Sequence, residues 1–70
     1  MNGDFTAWIV GVGAAVRNMT MTKFVFRKSS ITLSELRIMY LDGTDVDNAA
    51  RIVIEKEGLT IVRETEGNTR

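Results

Sequence analysis

Asp42, Asp45 and Asp47 place three carboxylates within six residues, in a chain that contains no histidine and no cysteine. Such oxygen ligands would suit a hard cation such as calcium. Their spacing does not follow the EF-hand order, however, and no glutamate stands at the closing bidentate position. A capped polar turn is the better reading, and no metal or other cofactor is expected. Without an imidazole base or a thiol nucleophile, acid–base and covalent catalysis lose their usual carriers. Ser29 and Ser30 read as turn residues with no evident activating partner. The chain is not expected to be an enzyme.

Lys23-Phe24-Val25-Phe26-Arg27-Lys28 interleaves cations with aromatic rings, as strand-based nucleic-acid binders do. Strand alternation puts both rings on the face opposite Lys23 and Arg27, which suits a core better than a base-stacking platform. A small nucleic-acid-binding regulator using Lys23–Lys28 is the alternative function on these grounds. Nine basic and nine acidic residues cancel, so no overall field steers the chain to DNA or to an anionic membrane.

These residues must be positioned by a small fold. Seventy residues, 44% of them hydrophobic, allow one domain, expected over residues 1–64, with 65–70 as a polar tail. No disulfide or zinc site is available as a staple, so a homodimer is expected over a monomer. The absence of thiols fits a cytosolic protein. The apolar run Ala7–Val16 is too short to span a bilayer, and Asp4 precedes it where a secretory signal would carry Lys or Arg.

Phe5–Val16, rich in β-branched and aromatic residues, reads as a first strand in which Gly11 and Gly13 mark a bulge or a close approach. The glycine pair lacks the third glycine and the following helix of a nucleotide-binding loop. Met21–Lys28 alternates as a second strand, with Phe24 and Phe26 facing the core. Thr32-x-x-Glu35 is a capping box that opens a helix, and Asp42-Gly43 is its stop. Ala50–Arg63 admits two readings. The β-branched run Ile52-Val53-Ile54 favours a hairpin; the rival is a helix over Val46–Glu57, capped by Gly58 and followed by one strand. The order strand, strand, helix, strand, strand makes an α+β domain with one helix on a small antiparallel sheet.

The helix within Ile31–Leu41 carries more apolar surface than one side can bury. Ile38 and Leu41 share one side; Leu36, Met39 and Tyr40 share the other. With Ile38 and Leu41 on the sheet, Leu36, Met39 and Tyr40 project outward, rimmed by Glu35 and Arg37, as a surface for another protein.

The run Phe24–Lys28 (FVFRK), then Ile31–Tyr40 (ITLSELRIMY) and Gly43-Thr44, with Asp4-Phe5 at a matching distance upstream, resembles the small uracil-DNA glycosylase inhibitors of Bacillus phages. The likeness runs to about Lys56 and is mostly class-for-class. It implies a dimeric DNA mimic in the cytoplasm of an infected bacterial host. Paired helices would form an apolar box around a side chain of the enzyme, with acidic groups standing in for DNA phosphates. Tyr40 would match the family tyrosine, Glu35 the acidic residue opening the helix, and Leu36 the aromatic box position. Arg37 and Val25 depart from the pattern, since both stand where the family has glutamates. The resemblance then requires acidic groups from elsewhere, and the clustered Asp42, Asp45 and Asp47 are the candidates.

Overall fold

The computed structural model describes residues 2–62, with side chains described from Asp4 onward. Helix α1 spans Asn2–Thr20, a single 3-10 turn spans Phe26–Lys28, α2 spans Leu33–Leu41 and α3 spans Val46–Glu57. There is no strand among the described residues, so the expected α+β sheet is corrected to an all-helical fold. The expected 65–70 tail lies outside the described residues.

The largest correction is α1, expected to be a strand. Its β-branched and aromatic composition masks a helical spacing. Phe5, Trp8, Val12, Ala15, Val16 and Met19 recur every three or four residues, and this stripe faces the core. Two interior glycines each cost a helix about 1 kcal/mol relative to alanine. Both sit where another side chain closes in. A Cβ on Gly11 would lie 3.4 Å from Val46, and one on Gly13 would lie 3.3 Å from the Phe26 ring. The helix ends at Met21, which takes a left-handed φ of 58°, and Thr20 Oγ1 donates back to the Val16 carbonyl at 2.7 Å.

Once Phe5–Val16 is helical, Met21–Lys28 has no neighbour with which to pair, and a lone strand leaves its backbone groups without a ladder. The segment is irregular and then makes its 3-10 turn. Its side-chain alternation survives: Phe24 and Phe26 pack on the core, edge to face with centroids 4.9 Å apart, while Lys23, Val25 and Arg27 are exposed. Arg17 Nη1 on α1 donates to the Phe24 carbonyl at 3.1 Å and holds this segment in place.

For Ala50–Arg63 the rival reading describes the chain. Asp45 caps α3 by accepting from the Asn48 N–H at 2.9 Å, and Gly58 closes it at φ 72°. The Leu59 N–H reaches the Ile54 carbonyl and the Gly58 N–H reaches that of Glu55, the paired bonds of a Schellman end. With both caps in place, β-branched Ile52-Val53-Ile54 is held helical, because Ala49, Ala50, Val53 and Ile54 fall on one buried arc. The strand expected after Gly58 is not formed through Val62. Leu59 and Ile61 instead lean on the core, and the Val62 N–H donates to the Met19 carbonyl at 2.7 Å.

Two carboxylates tie the loop before α2 to the end of α3. Glu57 Oε2 accepts from Ser30 Oγ (2.8 Å), Ser29 Oγ (2.9 Å) and the Ser30 N–H (3.0 Å). Glu35 accepts from the Thr32 N–H at 3.0 Å and pairs with Lys56 at 3.3 Å. Hydrogen bonds from the Ser30 and Ser29 hydroxyls and the Ser30 N–H hold the Glu57 carboxyl below its ordinary range. The Thr32 N–H, and next Lys56, do the same for Glu35. A carboxyl whose pKa falls on folding adds stability that is complete above its unfolded value and disappears as pH drops through its folded one. Thermal melts followed by circular dichroism should therefore show Tm falling on the acid side of the carboxylate range. The Glu57→Gln, Glu35→Gln double variant should flatten that fall, and an unchanged acid limb would show that neither tie contributes.

Candidate functional site

The capping box that opens α2 forms as expected: Thr32 Oγ1 accepts from the Glu35 N–H at 3.2 Å while Glu35 reaches back to Thr32. The stop forms too. Gly43, at φ 85°, lets the Thr44 N–H reach the Met39 carbonyl and the Gly43 N–H reach that of Tyr40.

Which side faces inward is the reverse of the expectation. Leu36 is 2% exposed and belongs to the core with Val12, Val16 and Met19. Met39 is half-buried against the same core. Tyr40 packs its ring against both Phe5, at 5.2 Å, and Trp8, at 5.5 Å, two α1 rings that also stack on each other. Trp8 fixes this trio by donating from Nε1 to the Thr44 carbonyl at 3.0 Å. Phe5 is capped in turn by the Arg37 guanidinium, 4.8 Å above its ring. A helix facing another helix's aromatic residues buries its own uninterrupted apolar arc, and that arc is Leu36, Met39 and Tyr40.

The opposite arc is therefore open. Leu33, Ile38 and Leu41 are 64%, 60% and 73% exposed, with exposed Ser34 and Arg37 among them. Ser34 and Arg37 were the signal in the sequence: at 100° per residue they share the arc of Leu33, Ile38 and Leu41, which marks it as the outer face. The remaining strongly exposed apolar side chains, such as Val10 and Met21, belong to other segments and need no special account.

The acidic candidates do not converge. Asp42 is the exposed C-cap of α2, Asp45 spends one oxygen capping α3, and Asp47 lies half-buried in the first turn of α3. Among the described residues no group of three or more carboxylates is placed to hold a metal ion. Glu35 is engaged in the capping box and with Lys56. Ser29 and Ser30 both donate to Glu57. That carboxylate is made a weaker base by its three donors, and Ser29 Oγ also accepts from the Ile31 N–H at 2.9 Å, so the cluster acts as a clasp rather than an activated hydroxyl. Among the described residues no cavity is found.

No protein-family model matches the chain, and no curated protein or solved structure is found to be similar to it.

The two arcs of α2 separate by substitution. Leu36→Ala should cost about 2–5 kcal/mol of unfolding free energy in urea titrations, as for a core leucine. Leu41→Ala, titrated at a concentration low enough for the protein to be monomeric, should stay within about 0.5 kcal/mol of the parent. Equal losses at both positions would mean that Leu41 is covered within the protomer.

Proposed function

We propose that this protein acts by binding another macromolecule through the outer face of α2, with no chemistry of its own. The observation that supports this is the exposure of Leu33, Ile38 and Leu41 on one arc of a helix whose other arc is already buried. Fully burying such a side chain is worth about 1.5–3 kcal/mol, so three of them at about two-thirds exposure leave on the order of 3–6 kcal/mol for association to gather. Ser34 and Arg37 break up this arc and Asp42 stands at its end, which gives the face the mixed polarity of contact surfaces. We place the protein in the cytoplasm, since a cysteine-free chain makes no use of an oxidising compartment. No described helix is long and apolar enough to cross a membrane.

Inhibition of uracil-DNA glycosylase is the narrower second reading. The exposure of Asp42 and Asp45 on the turn after α2 favours it. It ranks behind because the sheet is absent among the described residues, and because Leu36 is spent on the core with Tyr40 half-buried against α1. The nucleic-acid reading retains the exposed Lys23, Arg27 and Lys28, but Phe24 and Phe26 pack on the core and are not a stacking platform.

A photo-reactive residue placed at Ile38 or Leu41 in the producing cell should form discrete protein adducts, while the same residue at exposed Asn18 or Glu55 should not. Adducts of equal yield at all four positions would overturn the proposed surface. Titration into a uracil-excision assay should give no inhibition. Inhibition that the Asp42→Asn, Asp45→Asn, Asp47→Asn variant abolishes would put the second reading first.

A further inference from the structure

We infer that the outer face of α2 is covered by a second copy of this chain, packed antiparallel about a twofold axis. The inference rests on the proposal that this face is a contact surface, and it names the occupant.

The face is symmetric by residue type. Leu33 and Leu41 stand at its two ends, about 12 Å apart at the helical rise, with Ile38 near the middle. A twofold axis across the middle of α2 lays Leu33 on Leu41 of the second copy, and does so twice. Ser34, on the same arc, is small enough to leave room for the facing leucine.

Charge selects the direction. The segment entering α2 carries exposed Arg27 and Lys28 and is held beside the end of α3 by Ser29 and Ser30 on Glu57, where Lys56 offsets Glu35. Among these groups positive charge is in excess, while the turn leaving α2 carries exposed Asp42 and Asp45. Antiparallel packing sets each basic entry beside an acidic exit, again twice. Parallel packing would set like charges together at both ends, which costs affinity. The helix dipoles agree with the antiparallel choice.

Arg37 is the one residue that opposes a twofold seam, because it shares the arc and would approach its own counterpart. Its guanidinium lies over the Phe5 ring at 4.8 Å, which draws the charge toward α1 and off the seam. The three apolar side chains form only the centre of a contact. A standard interface takes about 800 Å² from each partner, so the charged ends must supply the rest. The expected dimer is accordingly concentration-dependent rather than obligate. Self-association also fits a chain of 70 residues with no cysteine to staple it.

Sedimentation equilibrium of the full chain over a wide concentration range tests this. The parent should follow a monomer–dimer equilibrium. Leu41→Glu should weaken it at least about tenfold while leaving the far-ultraviolet circular dichroism unchanged. Lys28→Glu and Asp42→Lys, both at exposed positions, should each weaken the dimer, and an equimolar mixture of the two should restore it by pairing opposite charges at both ends. A parent that stays monomeric at every concentration overturns the inference, as does a dimer indifferent to Leu41→Glu. A mixture no tighter than the single variants overturns the antiparallel pairing. A monomeric parent whose Leu41 adducts in the cell have the mass of a different protein excludes the second copy and leaves the contact surface standing. A monomeric parent with no such adducts removes both.

Discussion

The buried stripe of α1, formed by Val12, Ala15, Val16 and Met19, is the surface that the other elements exist to cover. A chain of this size can build only a thin core, so a single helix serves as its floor and each remaining segment contributes a small part of the roof. Helix α3 lays Ala49, Ala50, Val53 and Ile54 into the same cluster, and the small alanines let its backbone come close. Gly11 and Gly13 do the same from α1, letting Val46 sit in contact with the first and the Phe26 ring sit where a side chain on the second would crowd it. Toward its start α1 is covered by Tyr40, and at its end by the chain beyond Gly58, pinned through Val62 to Met19.

Polar contacts then decide how the covering segments enter. The stretch between Phe26 and α2 has too little apolar content to hold itself down, and Glu57 does it with one carboxylate oxygen receiving three donors. Glu35 performs two tasks at once, closing the capping box of its own helix and reaching Lys56 on α3. Both carboxylates lie near the surface, so their value is in fixing direction more than in raw stability. Ile31, carried between these ties, is delivered into the core.

Helix α2 shows what happens when a short apolar helix is covered on one side only. It has two hydrophobic arcs, and α1 accepts the one with the larger, flatter side chains because Phe5 and Trp8 offer rings to a tyrosine. The arc left over is the one interrupted by Ser34 and Arg37. An exposed face of that kind keeps the monomer tolerable in water while leaving enough apolar surface to reward contact. Arg37 joins the two roles, since its stem lies on the outer arc and its charge rests on an inner ring.

Local signals with a backbone mechanism were legible without any structure. The capping box Thr32–Glu35, the glycine stop at Gly43, the inward side of Phe24 and Phe26, and the excess apolar surface on α2 all follow from spacing and side-chain chemistry alone, whereas Gly58 as a stop belonged to the rival reading of its segment. Composition misled where it was weighed above spacing. The β-branched residues of α1 and of Ile52-Val53-Ile54 favour strands only when a partner strand exists, and a helix with good caps and one apolar arc outcompetes them when none does. Once α1 became a helix, no sheet remained to receive the others. The sequence by itself therefore determined where α2 begins and ends and that it has a surplus arc. Only the tertiary structure decided which arc is the surplus, because burial of Leu36 rather than Ile38 depends on Phe5 and Trp8 arriving from 30 residues away, and no local rule carries that information.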